Sequence, residues 1–238
     1  MNSQHADLNN WQDRTEILLG KDNVEALSEK TVLICGLGGV GGYVVEALAR
    51  LGVGKFILAD KDAVDVTNLN RQILATVDTI GKLKSEVAKE RILSINPKAQ
   101  VEALVLDLND GTILELFSKY SFDCVIDAID CINAKLVLAV ECQKRGIPII
   151  ASMSTGNKFH PELFRISDIY KTSVCPIAKI MRKKAKELGI KKLTVVYSEE
   201  LPTKHSDSHI GTLSFVPAAA GLLLVSASLE YLTGKKEK

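Results

Sequence analysis

TVLICGLGGVGGYVVEALARLG, residues 31–52, decides the fold. Five β-rich apolar residues run into a glycine-dense turn, and the turn opens a helical segment at Tyr43–Leu51 that Gly52 and Gly54 end. Gly36, Gly38 and Gly41 have GxGxxG spacing, and KFILAD (55–60) follows as a second strand closing on Asp60. Strand, glycine turn, helix, strand is the first half of a doubly wound sheet. Backbone N–H groups in such a turn, at a helix N-terminus, face an anion. An acid ending the second strand accepts from both ribose hydroxyls. A redox dinucleotide and ATP satisfy these features equally.

Outward from this stretch, the pattern keeps to parallel βα units. A long polar connection after Asp60 leads to a helix at 82–95, with Leu83, Val87, Ile92 and Ile95 at helical spacing and Asn96-Pro97 as its stop. VEALVL (101–106), FDCVIDA (122–128) and IPIIASM (147–153) read as strands, separated by helices at 113–119 and 133–145. Beyond 155 the pattern changes. LFRISDI (163–169) is expected as an edge strand and KKLTVVYSEE (191–200) as a further strand. CPIAKIMRKKAKELG (175–189) is expected as an amphipathic helix with Ile177, Ile180, Met181 and Leu188 inward. LPTKHSDSH (201–209) reads as a mobile polar loop. IGTLSFVPAAAGLLLVSASL (210–229) carries no charge, but its Ser, Thr, Gly and Pro content favours a core helix at 217–232 over a membrane span; peripheral membrane contact through 210–232 is the alternative. The expected fold class is α/β: a Rossmann-like, doubly wound, mainly parallel sheet that the C-terminal half extends. One domain covers 1–238, divided into a helical segment at 11–29, a nucleotide-binding core at 30–155 and substrate-side and dimerisation elements at 156–238.

Composition limits the function classes. Thirty Lys+Arg against 29 Asp+Glu excludes a generic polycation, though not a local basic patch. Aromatics at 5% leave little material for base-stacking platforms. Cys35, Cys124, Cys131, Cys142 and Cys175 are odd in number and form no CxxC pair, which predicts reduced, cytoplasmic usage without structural zinc. The polar N-terminus is not a signal peptide.

The choice between redox and ATP chemistry lies outside the glycines. Asn68, Asn70, Arg71 and Gln72 share one polar loop, and Lys84 opens the next helix. Two cations beside a nucleotide suit a triphosphate whose charge ends on pyrophosphate. The fourth strand ends in Asp127-Ala-Ile-Asp130, where Asp130 is a natural Mg²⁺ ligand and Asp127 is a helix cap or a second acid. A nicotinamide site has no use for that set. Lys179, Arg182, Lys183, Lys184, Lys186, Lys191 and Lys192 crowd together, as a solvated face or a track for RNA phosphates. His205 and His209 suit a flexible loop near substrate better than a metal site.

GLGGVGGYVVEALARLGVGKFILADKDAVDVTNLNRQ (36–72), GKLKSEVAKERILSINP (81–97) and DCVIDAID (123–130) together resemble the ubiquitin-activating-enzyme-like superfamily. RTEILLG (14–20), ISDIYKTSVCPIAKIMRKKAKELGI (166–190) and GTLSFVPAAAGLLL (211–224) resemble its branch of tRNA threonylcarbamoyladenosine dehydratases. The resemblance implies a homodimer with one ATP per subunit. Gly36, Gly38, Gly39 and Gly41 would cradle the phosphates, Asp60 would hold the ribose, and Asn68, Arg71 and Lys84 would position the phosphates. Asp130 would bind Mg²⁺, and Arg14 would reach the partner's site like an arginine finger. The implied reaction is ATP-dependent cyclisation of threonylcarbamoyladenosine at tRNA position 37 through an acyl-adenylate. The alternative is an adenylyltransferase for a small ubiquitin-like sulfur-carrier protein, which commonly has the two CxxC pairs missing here. Cys131 reads as a small buried cysteine rather than a nucleotide contact, and Cys175 stands where many relatives have Asp.

Overall fold

TVLIC forms the central strand β1 (Thr31–Cys35) of a computed structural model that describes residues 11–203 and 210–234. Its side chains alternate between two cores. Val32 and Ile34 pack on one face of the sheet, Leu33 and Cys35 on the other, and all four are fully buried. Burial on both faces is what an unbroken apolar run in a parallel sheet requires. Each such aliphatic side chain contributes about 1.5–3 kcal/mol.

The other strands are β2 (Lys55–Ala59), β3 (Gln100–Leu104), β4 (Cys124–Asp127), β5 (Ile149–Ser152), β6 (Phe164–Asp168) and β7 (Thr194–Ser198). They form one seven-stranded sheet in the order β3-β2-β1-β4-β5-β7-β6. Every pairing is parallel except β6 with β7, so the C-terminal half adds β7 and an antiparallel edge strand.

The helices are α1 (Asp13–Leu19), α2 (Lys21–Glu29), α3 (Gly41–Leu51), α4 (Lys84–Ile95), α5 (Asp110–Lys119), α6 (Ile132–Arg145), α7 (Pro176–Glu187) and α8 (Phe215–Thr233). α3, α4 and α8 cover one face. α5 and α6 cover the β1–β4 part of the other, and α7 continues that layer over β5 and β7. Pro217 sits in the first turn of α8, where its missing N–H costs no intrahelical bond. α8 is the one described helix long and apolar enough to cross a membrane. It packs against α3, with Val216, Ala220, Leu224, Val225 and Leu232 in the core.

Two expected faces differ. α4 starts at Lys84, so Leu83 is its N-cap and is 38% exposed, while Ala88 joins Val87 and Ile92 inside. On α7 and its C-cap, Met181 is buried as expected, but Ile180 and Leu188 are exposed, and Ala178 and Ala185 join Met181 inside. The loop expected at 201–209 lies mostly outside the described residues, and with it His205 and His209.

Candidate active site

The sheet reverses its winding between β1 and β4, and ligands of open α/β sheets bind in the crevice beyond such a point. A cleft of about 410 Å³ opens there. Gly36, Gly38, Gly39, Asp60, Asn68, Arg71, Lys84 and Asp130 all line it. The remaining two candidates, Gly41 and Arg14, do not.

The glycines divide by role. Gly36 has φ +85°, a left-handed conformation that costs a side chain, and turns the chain out of β1. Gly41 stands behind it at the start of α3, where an added Cβ would lie 1.8 Å from the Gly36 carbonyl oxygen. Gly41 therefore lets α3 start against the turn, while Gly38 and Gly39 present backbone to the cleft.

Asp60 is held by the backbone. Its Oδ2 accepts from Leu37 N–H at 2.6 Å and its Oδ1 from Asp62 N–H at 2.8 Å. Each oxygen keeps a second lone pair for a hydroxyl in the cleft. Asp62 in turn holds Lys84: the lysine backbone N–H donates to Asp62 O at 3.0 Å, and Nζ lies 3.0 Å from Oδ2, with the lysine side chain only 7% exposed. A hydrogen-bonded chain thus runs from the glycine turn through Asp60 and Asp62 to the cleft's lysine. Asn68 caps a short 3₁₀ turn with Asp65, and Arg71 Nη1 donates to Thr67 O and Asn70 Oδ1 at 2.8 and 2.9 Å. Both side chains are braced by the loop that carries them.

Asp130 is exposed at the cleft, just past β4. Asp127 is different. It is fully buried, and its Oδ1 pairs with Lys135 Nζ at 2.9 Å and accepts from Ile129 N–H. Burial raises the Asp127 carboxyl above its usual range, and the Lys135 ammonium opposes that rise. The pair anchors both ends of the turn that presents Asp130. Cys131, expected to be buried, is exposed and lines the cleft, because it caps α6 at the open edge of the sheet. Cys175 is buried at the start of α7.

Other lining residues were given no role from the sequence: Lys61, Asp107, Leu106, Leu108, Thr155 and Thr212. Lys61 pairs with Asp107 at 2.8 Å, and that hydrogen bond raises the lysine's pKa. Asp107 follows β3, so the strand-end argument that singled out Asp60 and Asp130 would have found it. Thr155 and Thr212 lie in irregular segments and had no such signal.

Arg14 is exposed on α1 and belongs to no cleft of its own chain. Lys179, Lys183, Lys184, Lys186, Lys191 and Lys192 are exposed on and just after α7. Arg182 is engaged internally, its Nη1 donating to Thr172 O and Oγ1 at 2.6 Å. Lys184 Nζ reaches Asn133 Oδ1 at 3.3 Å, three residues past Asp130. The basic helix is thereby tied to the first turn of α6, whose N-cap Cys131 lines the cleft.

The geometry is that of a mononucleotide site with cations at the phosphate end. The ThiF family model matches residues 13–238. The tRNA threonylcarbamoyladenosine dehydratase of Bacillus subtilis (strain 168) is 42% identical over 229 residues, covering 89% of this chain and 90% of that protein. Two crystal structures of the Escherichia coli tRNA N6-threonylcarbamoyladenosine dehydratase, in complex with AMP and with ATP, superpose with TM-scores of 0.88 and 0.87 at 31% identity, over 95% of this chain and 96% of theirs. This chain belongs to the ThiF family, on its tRNA threonylcarbamoyladenosine dehydratase branch.

Proposed function

We propose that this protein is an ATP-dependent, AMP-forming dehydratase that cyclises threonylcarbamoyladenosine at position 37 of tRNA. The observation that carries the reading is the convergence of Arg71, Lys84 and Asp130 on one cleft beside the glycine turn. ATP fits with its ribose on Asp60 and its phosphates at the α3 N-terminus, where backbone N–H groups and the helix dipole favour anions. Arg71 and Lys84 neutralise the charge that collects on pyrophosphate.

The threonyl carboxylate attacks the α-phosphorus, the bond to the bridging oxygen breaks, and pyrophosphate leaves. The carbamoyl group of the same side chain then attacks the activated carbonyl. The acyl–oxygen bond breaks, AMP carries that oxygen away, and the proton lost by the carbamoyl group passes to solvent, so the RNA loses one water. Ring closure is intramolecular and needs no protein nucleophile. The protein supplies orientation and charge.

Asp130 would hold Mg²⁺. It is an exposed carboxylate without a hydrogen-bond partner among the described residues, which also contain no cluster of three or more metal-ligating side chains. One carboxylate plus phosphate oxygens and water is a donor set that Mg²⁺ takes. Bound there, the ion would offset phosphate charge.

Arg14, exposed and outside its own chain's cleft, suits a role in the partner's site of a homodimer. The lysines of α7 suit the RNA backbone, because they are exposed together on one helix whose Lys184 reaches Asn133 at the start of α6. Buried or unpaired cysteines fit a reducing cytoplasm. A membrane contact through 210–232 would be limited to its exposed apolar residues Ile210, Leu213, Phe215, Leu222 and Tyr231, since much of α8 is core.

The test is a substrate panel. With ATP and modified tRNA, the expected products are AMP, pyrophosphate and an RNA lighter by one water; unmodified tRNA gives none. Turnover with a sulfur-carrier protein alone would refute the reading. Mixing Arg14→Ala with Asp130→Ala chains tests the trans role: activity above either alone is expected, and its absence counts against it.

A further inference from the structure

We infer that Thr155 and Thr212 form the subsite for the acyl substrate, an N-carbamoyl amino acid carboxylate, on the side of the cleft that the nucleotide leaves free. The inference rests on the proposed reaction and extends it to residues to which the resemblance assigned no role.

Strand order sets the geometry. The cleft runs from Leu106 and Asp107, past the end of β3, to Thr155, past the end of β5. β3 and β5 are four strand spacings apart in the sheet, roughly 19 Å at about 4.8 Å each. The nucleotide's anchors lie toward β3: Asp60 ends β2, and the glycine turn follows β1. Beyond Asp130 at β4, the wall comes from Thr155 and from Thr212 in the segment before α8. A second reactant that must meet the α-phosphorus has this end of the cleft open to it.

The wall is built rather than incidental. Asn157 N–H donates to Gly211 O at 2.8 Å, and Gly211 N–H donates to Asn157 Oδ1 at 2.7 Å. Asn70, in the loop that carries Arg71, donates from Nδ2 to Thr212 O at 3.2 Å. Asn157 has φ +56°, a conformation that asparagine tolerates better than most residues and that folds persist in when the surroundings hold it. Thr212 is thereby fixed against both the Thr155 segment and the Arg71 loop. Both threonines are half-buried, and neither hydroxyl bonds any described residue. Two half-buried hydroxyls with no internal partner are suited to a carboxylate and a carbamoyl oxygen, which accept hydrogen bonds.

The experiment compares Thr155→Val and Thr212→Val, which remove the hydroxyl and keep the shape, with Thr155→Ser and Thr212→Ser, which keep it. AMP release is measured with an anticodon stem–loop carrying threonylcarbamoyladenosine. Binding of a non-hydrolysable ATP analogue and of the unmodified stem–loop is measured by calorimetry. Each valine variant should lose about 10- to 100-fold in kcat/KM for the modified RNA, the effect of one hydrogen bond to a charged group. The serine variants should retain most of it, and both binding affinities should be unchanged. Valine variants as active as the parent, or weakened equally for the ATP analogue, would overturn the subsite. A parent protein that releases no AMP with modified RNA would overturn the proposed reaction itself, and the two failures are thereby distinct.

Discussion

Replacing Lys135 by Met isolates the buried charge beneath the Asp130 turn. Lys135 is 2% exposed and Asp127 0%, and their contact at 2.9 Å is shielded from water. Oδ2 of Asp127 is buried with no partner, and Oδ1 would keep only the Ile129 N–H. Removing one member of a buried pair costs about 3–5 kcal/mol. At about 2–4 °C per kcal/mol for a chain this size, the loss in Tm is roughly 6–20 °C. The loss depends on pH. Burial already holds the folded Asp127 carboxyl above its ordinary 3.8, and loss of the ammonium raises it further. A carboxyl raised on folding destabilises the protein as pH climbs from the unfolded value through the folded one. The gap between parent and Lys135→Met should therefore be small under acid conditions, widen with rising pH, and level off above the variant's own carboxyl pKa. Scanning calorimetry in pH steps measures it. The double variant Asp127→Asn/Lys135→Met should recover most of the stability, because no buried charge remains. A loss that does not grow as pH rises from the acid side of 3.8, or a double variant no better than the single, would refute the reasoning.

Three more outcomes follow from the same structure. Burial works against the Glu46 carboxylate, but hydrogen bonds from Arg91 and Arg50 hold it below its ordinary 4.5, so Glu46→Gln should cost about 1 kcal/mol or less of stability at neutral pH; the gap should narrow as pH falls below 4.5 and through the depressed folded value, and a gap that does not narrow below 4.5 would contradict this. Gly41→Ala should yield little folded protein, because its Cβ meets a backbone oxygen, whereas Gly38→Ala, with nothing nearer than Gln72 Nε2 at 3.8 Å, should fold normally and bind ATP more weakly; circular dichroism and ATP titration separate the two. The triple variant Lys179→Glu/Lys183→Glu/Lys186→Glu should weaken modified and unmodified RNA alike and lower the salt slope by about 2–3, at 0.7–0.9 per phosphate contact, with ATP binding unaffected; an unchanged slope in a salt titration would remove the basic helix from the RNA path.

What was legible in the sequence follows from how many constraints met at each residue. β1 was readable because an apolar run, a glycine turn and a helix start all pointed to the same element. The cleft residues Asp60, Arg71, Lys84 and Asp130 were readable because strand ends and one polar loop carry them, and the fold brings those ends together. The inward face of α7 was not. Hydropathy ranks Ile180 and Leu188 above Ala178 and Ala185, yet the two alanines join the expected Met181 inside, and Ile180 and Leu188 are exposed. Arg182 read as one more surface cation, and only tertiary structure brings Thr172 to it. Asp127 and Lys135 stand eight apart across a turn and a helix start, a spacing with no pattern of its own. Thr155 and Thr212 are 57 positions apart (212 − 155), joined only through Asn157, so no local motif could pair them.

The sheet order also separates the two halves of the proposed chemistry. Toward β3, the cleft holds the Asp60 carboxylate, the glycine turn and cations from the 68–84 crossover, the set that the proposed ATP site uses. Toward β6, it is bounded by what the C-terminal half adds, namely the Thr155 and Thr212 wall with α7 beyond it. A carboxylate activated at the α-phosphorus must be delivered from one of these sides, and the first is taken up by the nucleoside. An RNA whose modified base enters from the second side would carry its flanking phosphates across the exposed lysines of α7, whose Lys184 bonds Asn133 at the start of α6. The extension of the sheet by β7 and β6 matters on this reading because it supports α7. Without β7, Met181 and Ala185 would have no Val195 or Tyr197 to pack against, and the basic helix could not be held beside the site.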